Sequence, residues 1–259
     1  MPSRSDEERY LRVLEPYQKR LKGSDDRKVF DQFFDRRTLM SIYDMMNDGI
    51  LSTVDFPVAT GKEGGVFKCT SADGSPLALK IYRISNSTFR ALAAYIAGDE
   101  RFRGITGNFA KTIGMWVQRE YVNLERYHST GLPVPAPIAR RENLLAMEYL
   151  GDVNGPSPLL KDYPVSGEEA RTFYSIVLDF MIRGYGEAGL VHSDLSQYNI
   201  MVHRGTPYVI DCSQGVTARH PNAIDFVKRD LNNVNRFFRL KGVAVMDAEE
   251  LLQTLRRGS

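Results

Sequence analysis

The 259-residue chain has almost no cysteine, no long apolar run and no large excess of either charge, and each shortage removes a class of function. Its two cysteines, Cys69 and Cys212, are too few and too separated in sequence for a disulfide framework or a zinc site. The four histidines, His128, His192, His203 and His220, show no metal-ligand spacing. No stretch is apolar for long enough to span a membrane. The opening Met1-Pro2-Ser3-Arg4-Ser5-Asp6-Glu7-Glu8 lacks a hydrophobic signal region, so a cytoplasmic protein in a reducing compartment is expected. A net charge of +2 is too small to argue nucleic-acid binding from the whole chain. Internal repeats and low-complexity tracts are missing as well. The 42% of hydrophobic residues can bury a substantial core in one or two lobes.

What is present is concentrated in one stretch. His192-Ser193-Asp194-Leu195-Ser196-Gln197-Tyr198-Asn199 follows the apolar Leu190-Val191 and leads into Ile200-Met201-Val202, a turn at Arg204-Gly205-Thr206 and a second strand through Tyr208-Val209-Ile210. Such a hairpin returns Asp211 towards Asn199. Magnesium prefers oxygen ligands and retains water, so the Asn199 amide oxygen and the Asp211 carboxylate, completed by nucleotide phosphates, are enough to hold it. Asp194 then receives or orients the proton of an attacking hydroxyl. Either Asp194 or Asn199 alone reads as an ordinary loop cap. The ordered set with an apolar-flanked Asp211 reads as a phosphotransfer site. His192 reads as a brace for the loop.

Phosphotransfer also needs a group that holds nucleotide phosphates, and Lys80 is the candidate. It ends the apolar run Leu77-Ala78-Leu79 and precedes Ile81-Tyr82, so alternation turns it to one face of a strand, where a charge needs a partner or a ligand. Glu120 is the expected partner. It lies in a helical stretch from Ile113 to His128 whose Trp116, Glu120, Leu124 and Tyr127 share a face, while Glu125 points elsewhere. Upstream, Ala59-Thr60-Gly61-Lys62-Glu63-Gly64-Gly65 lies between a strand around Thr53 to Phe56 and another at Val66 to Thr70. Its glycines allow close approach of backbone to phosphate, although the pattern is not G-x-G-x-x-G. A hairpin at Asp73-Gly74 brings Lys80 back beside that loop.

From about Thr53 to Phe238 these residues resemble the RIO family of atypical protein serine kinases, in its first subtype, which lacks a winged helix. The most specific pieces are Thr60-Gly61-Lys62-Glu63, Lys80-Ile81-Tyr82, Trp116 with Glu120 and Asn123-Leu124, the His192 to Asn199 loop, and Ile210-Asp211-x-Ser213-Gln214. Ser196 and Gln214 separate the chain from ordinary protein kinases, which carry Lys at the first position and Asp-Phe-Gly where Asp211-Cys212-Ser213 stands. His220-Pro221, Asp230 and Asn233 match the subtype's downstream pattern. The resemblance implies ATP with magnesium or manganese, autophosphorylation on serine, and an aspartyl-phosphate on Asp211. It further implies Lys80 on the phosphates, positioned by Glu120, with Asp194 as the catalytic aspartate and Asn199 and Asp211 on the metal. Thr60, Gly61 and Lys62 would belong to the phosphate loop. Leu145 to Leu150 resembles the hinge, so the backbones of Glu148 and Leu150 would meet adenine and Met147 would line its pocket. Ala59 and Gly64-Gly65 depart from the family's Ser and Ala-Asn. Members resemble late assembly factors of the small ribosomal subunit, which makes a pre-ribosomal particle, protein and rRNA, the expected partner.

The expected fold is α+β, a small bilobal protein-kinase-like fold with an antiparallel-sheet N-lobe, a mostly helical C-lobe and extra N-terminal helices. Residues 1–52 form the extension, 53–150 the N-lobe with a flexible insertion at about 83–110, and 151–259 the C-lobe. In the extension, Ser5 to Glu8 is a capping-box pattern, Tyr10, Leu14, Tyr17 and Leu21 form a helical stripe, and a second helix covers Lys28 to Met46. Gly151 to Pro164 reads as the lobe junction, followed by helices at Glu168 to Tyr185, Ala223 to Leu240 and Asp247 to Arg257. The few residues between Gln214 and Ala223 leave no room for a long peptide-docking segment, so free peptides should be poor substrates. Ser85 and Ser87 are candidate autophosphorylation sites. Basic residues at Arg83 to Lys111, and at Lys228, Arg229, Arg236, Arg239 and Lys241, read as solvated faces unless the ribosomal partner applies. Three readings follow: a serine kinase acting on itself and a partner; an ATPase switch that uses Asp211 as covalent acceptor; and a small-molecule phosphotransferase of the aminoglycoside/choline kinase type, which shares the H-x-D-L-x-x-x-N loop. The first two need the same Lys80, Asp194, Asn199 and Asp211.

Overall fold

Alternation of apolar and polar residues in two neighbouring segments builds the sheet on which Lys80 stands. The computed structural model describes residues 33–61, 64–83 and 109–257, and the chain divides into two compact units. Of the described residues, 33–61, 64–83, 109–118 and 137–149 belong to the first unit, and 119–136 and 150–257 to the second.

The first unit holds five strands, β1 (Thr53–Thr60), β2 (Gly64–Thr70), β3 (Pro76–Tyr82), β4 (Pro137–Arg141) and β5 (Leu144–Glu148), antiparallel in the order β1-β2-β3-β5-β4. Phe67, Cys69, Leu79, Ile81 and Ala146 turn to one face and are buried together with Phe33, Ile42 and Met45. Period-two alternation puts the intervening residues on the opposite face. There the register aligns Val66, Lys80 and Leu145 in one row and Lys68, Ala78 and Met147 in the next. Between β2 and β3, Gly74 takes a φ of +87° in the expected turn.

Helix α1 (Arg36–Asn47) is shorter than the helix expected from Lys28 to Met46. Asp35 is extended, with φ −65° and ψ 166°, and its side chain accepts a 2.8 Å hydrogen bond from the Thr38 N–H. The capping carboxylate thus starts the helix at Arg36. Residues 28–32 and the stripe of Tyr10, Leu14, Tyr17 and Leu21 lie outside the described residues. So does most of the expected insertion, including Ser85 and Ser87.

Helix α2 (Phe109–Ser129) contributes its first part to the first unit and the remainder to the second. Trp116, Glu120, Leu124 and Tyr127 are all buried and Glu125 is exposed, as their spacing predicts.

In the second unit follow α3 (Gly167–Gly186), β6 (Leu190–Val191), β7 (Ile200–His203), β8 (Thr206–Val209), β9 (Val216–Thr217), α4 (Ala223–Leu240) and α5 (Ala248–Arg257). Its aromatic core includes Tyr127 against Phe180 at 4.8 Å and Tyr174 against Phe238 at 5.3 Å between ring centroids. The β7–β8 hairpin turns on Arg204 and Gly205, with φ of +50° and +75°. Two left-handed residues match the right-handed twist of the flanking strands. Among the described residues no helix is long and apolar enough to cross a membrane.

Candidate phosphotransfer site

The loop from His192 to Asn199 connects β6 to β7, and its shape is imposed by groups distant in sequence. Ser193 is left-handed, with φ +60°, a conformation that costs a non-glycine residue energy unless neighbours hold it. Asp230 on α4 supplies that hold: its two carboxylate oxygens accept the N–H groups of Ser193 at 2.8 Å and Leu195 at 3.1 Å. The Arg229 guanidinium donates to the Ser193 carbonyl, and Ser193 Oγ donates to the Gln214 carbonyl at 2.6 Å. His192 accepts the Asp194 N–H on Nδ1 at 3.3 Å, so its proton sits on Nε2 and is donated to the Ile210 carbonyl at 3.1 Å. His192 braces the loop, as its sequence position predicts.

Asp230 is only 1% exposed. Burial pushes its carboxyl up to about 7, against the lowering pull of the Leu195 and Ser193 N–H groups and the nearby Arg229 charge.

Within this frame Asn199 donates through Nδ2 to the Asp194 backbone carbonyl at 2.8 Å and to Asp194 Oδ2 at 3.1 Å. Gln214 Nε2 approaches the same Oδ2 at 3.4 Å. The bonds fix the Asp194 carboxylate through one oxygen, and Oδ1 accepts none from the described residues. They also commit the Asn199 amide nitrogen, which leaves its oxygen for a cation. The Ile210 N–H donates to the Asn199 carbonyl at 2.9 Å, so the β7–β8 hairpin brings Asp211 back beside Asn199.

Asp211 is exposed and left-handed, with φ +56° and ψ +59°, and Ser213 Oγ donates to its Oδ1 at 2.8 Å. The short helical turn Cys212–Gln214 that follows is clamped from α2. Asn123 Nδ2 donates to the carbonyls of Cys212 and Gly215 at 2.8 and 3.1 Å. Arg119 reaches the carbonyls of Gln214 and Gly215, at 3.2 and 3.1 Å through one terminal nitrogen. Gly215 is needed there, because a Cβ would lie 2.8 Å from Asn123 Nδ2.

Among the described residues no three His, Cys, Asp or Glu side chains converge to hold a metal ion. One amide oxygen and one carboxylate suit magnesium, which keeps water and takes phosphate oxygens rather than an all-protein cage. The residues present fit that ion.

In the first unit, Lys80 projects from β3 on the face opposite the core, with Nζ 5.0 Å from the Tyr82 ring centroid. Met147 shares that face, Glu148 ends β5 opposite Leu77, and Thr60 and Gly61 are exposed at the end of β1. The Gly61 N–H donates to the Gly64 carbonyl at 2.9 Å, and Lys62 lies outside the described residues. A Cβ at Gly64 would stand 2.7 Å from the Ile81 carbonyl oxygen, a physical reason for glycine at that departure from the family pattern. Leu150 and Glu120 belong to the second unit, where Glu120 is 1% exposed.

Sequence reading missed what Asp230, Arg119 and Asn123 do, and it missed Lys68 altogether. Asp230 did leave a signal, a charge set in the apolar stripe of Val227, Leu231, Val234 and Phe238. Lys68 is two residues from Val66 on the Lys80 face, with Nζ 5.3 Å from both the Phe56 and Tyr149 rings.

A family model, the RIO domain, matches residues 65–251. The RIO-type serine/threonine-protein kinase Rio1 of Haloferax volcanii is 40% identical over 242 residues, covering 93% of this chain and 82% of that protein. Human serine/threonine-protein kinase RIO1 is 39% identical over 236 residues, covering 90% of this chain but only 42% of the human protein. Among solved structures, the Rio2 kinase from Chaetomium thermophilum in its ADP/Mg2+-phosphoaspartate complex aligns with a TM-score of 0.66 at 22% identity, over 84% of this chain and 65% of that one. That likeness shows a protein-kinase-like fold.

Proposed function

The chain belongs to the RIO family of atypical serine/threonine protein kinases, and on that premise we propose that it uses ATP with magnesium or manganese to phosphorylate serine, on itself and on a protein partner. The observation that carries this reading is the Asp194 carboxylate, held through Oδ2 by Asn199 and Gln214 while Oδ1 takes no bond from the described residues. Such an oxygen accepts the proton of a serine hydroxyl as the hydroxyl oxygen bonds to the γ-phosphorus and the bond to the departing ADP breaks. Asn199 and Asp211 would hold the metal ion, which supplies neutralisation of phosphate charge when bound. Lys80 contacts the phosphates. Thr60, Gly61 and Lys62 form the loop beside them, and Met147, Glu148 and Leu150 meet adenine.

A second acceptor is Asp211 itself. Its side chain is exposed, its backbone is held left-handed, and the Rio2 complex of similar fold contains a phosphoaspartate. In that reaction an Asp211 oxygen bonds to the γ-phosphorus, ADP leaves, and water later releases phosphate, which makes the chain an ATPase switch. The matched relatives are named protein kinases, which favours these readings over an aminoglycoside or choline acceptor. We place the activity in cytoplasmic assembly of the small ribosomal subunit, a role supported by the family resemblance and by the exposed Arg236 and Arg239 of α4.

The test is incubation with γ-labelled ATP and magnesium, then hydroxylamine and mapping of the label. Acid-stable phosphoserine supports the kinase, and a hydroxylamine-labile label on Asp211 supports the switch. Asp211→Ala should carry no label while its melting temperature stays unchanged. Undiminished labelling of Asp211→Ala overturns the assignment.

A further inference from the structure

One aromatic ring of the loop that carries the proposed proton acceptor is left in water. Tyr198 is 58% exposed, and no other Phe, Tyr or Trp side chain among the described residues is as open. It lies in the loop that holds Asp194, directly before Asn199, and its N–H points to Ser196 Oγ at 3.4 Å. A ring carried on so constrained a loop cannot retreat into the core. Solvent-exposed tyrosines on rigid supports are favoured recognition groups, because they offer a large apolar face with few rotatable bonds to order.

A second element is tied to the same place. The Leu160 N–H donates to the Ile200 carbonyl at 2.8 Å and the Lys161 N–H to the Gln197 carbonyl at 3.2 Å. Leu159 bridges to Met201 in antiparallel fashion. This lacing fixes Lys161 alongside Tyr198, with its ammonium 6.0 Å from the ring centroid and 2.8 Å from the Asp162 carboxylate. The cation covers one side of the ring, and Asp162 balances its charge.

We infer that Tyr198, flanked by Lys161, is the acceptor-recognition surface of the kinase: its ring receives an apolar side chain next to the serine of a polypeptide substrate. The inference rests on the serine-kinase reading of the same loop. Asp162 decides between polypeptide and nucleic acid. A tyrosine beside a lysine would also suit a stacked base with its phosphate, but the exposed Asp162 carboxylate bonded to that lysine repels a phosphate backbone. An apolar or aromatic side chain suits the ring better than a second cation, since Lys161 already occupies its electron-rich face.

The experiment measures phosphorylation of dephosphorylated casein by the full chain at saturating ATP and magnesium, with KM and kcat determined separately and fluorescent ADP affinity measured alongside. Tyr198→Ala should raise the KM for casein about tenfold, the loss expected of a single aromatic anchor, with kcat and ADP affinity at wild-type values. Tyr198→Phe should keep the wild-type KM, because the ring and not the hydroxyl makes the contact. Unchanged KM in Tyr198→Ala overturns the inference. A matching fall in kcat and ADP affinity also overturns it, by making Tyr198 a brace of the loop. Competition of polyuridylic acid with casein that Tyr198→Ala relieves would assign the surface to nucleic acid instead. Wild-type protein that labels its own serines but not casein overturns the inference, and wild-type protein that hydrolyses ATP but labels neither removes the kinase reading, with which the inference falls.

Discussion

Asp230 is a carboxyl group asked to accept two backbone N–H bonds in a place that disfavours its charge. Folded, it holds its proton up to about 7, above the ordinary 3.8 that it regains on unfolding. Between those values the folded chain binds more protons than the unfolded one. The stability this group lends is therefore complete below about pH 4 and is lost as pH rises through about 7. Asp230→Asn removes the titration while keeping one acceptor oxygen for the loop N–H groups. The melting temperature of the wild type relative to Asp230→Asn should accordingly fall between pH 4 and pH 8, and a difference that stays constant over that range would show that burial does not control the group. Residues of this kind explain what was legible at this scale. Asp194, Asn199 and Asp211 could be read because one loop and one hairpin join them. Asp230, Arg119 and Asn123 reach the same loops from remote helices, and such contacts leave no local pattern. Asp230 showed itself as a charge in an apolar stripe and as part of the family's downstream pattern, but neither signal told what it holds.

At the scale of elements, hydrophobic alternation predicted β2 and β3 with Lys80 on the open face, and helical spacing predicted the buried side of α2. Where side-chain caps decide, boundaries moved, as at Asp35. The docking of α1 shows which of its contacts should matter. Asn143 Nδ2, buried, donates at 2.9 Å both to Thr38 Oγ1 on α1 and to the Tyr82 carbonyl on β3. Arg141 makes ion pairs with Asp44 and Asp48, but these carboxylates are about half exposed, at 49% and 50%. Losing a buried donor strands two acceptors at a cost of about 1 to 3 kcal/mol, whereas exposed ion pairs contribute about 1 kcal/mol or less. Removal of the Asp35 cap belongs near 1 kcal/mol. Thermal denaturation should therefore rank Asn143→Ala as the most damaging, with Asp35→Ala between it and Arg141→Ala. An Arg141→Ala loss larger than that of Asn143→Ala would mean that surface charge, not the buried amide, holds α1 to the sheet.

For the molecule as a whole, the proposed function makes nucleotide a ligand of the folded chain, with Lys80, Asp194, Asn199 and Asp211 as its assigned contacts. A ligand that binds only folded chain stabilises it by mass action, about 2.7 kcal/mol at a hundredfold excess over its Kd. For a chain of this size that corresponds to a rise in melting temperature of about 5 to 10 °C. ADP with magnesium should produce such a rise in the wild type. The assigned roles predict how it divides. With Lys80 on the phosphates, as proposed, Lys80→Ala should lose most of the rise with ADP and magnesium yet respond to adenosine as the wild type does. With Asp211 on the metal, as proposed, Asp211→Ala should respond to ADP as the wild type does without magnesium. Lys80→Ala that answers ADP and magnesium in full would make Lys80 a surface lysine, because a phosphate contact cannot be removed without cost to a ligand whose affinity depends on its phosphates.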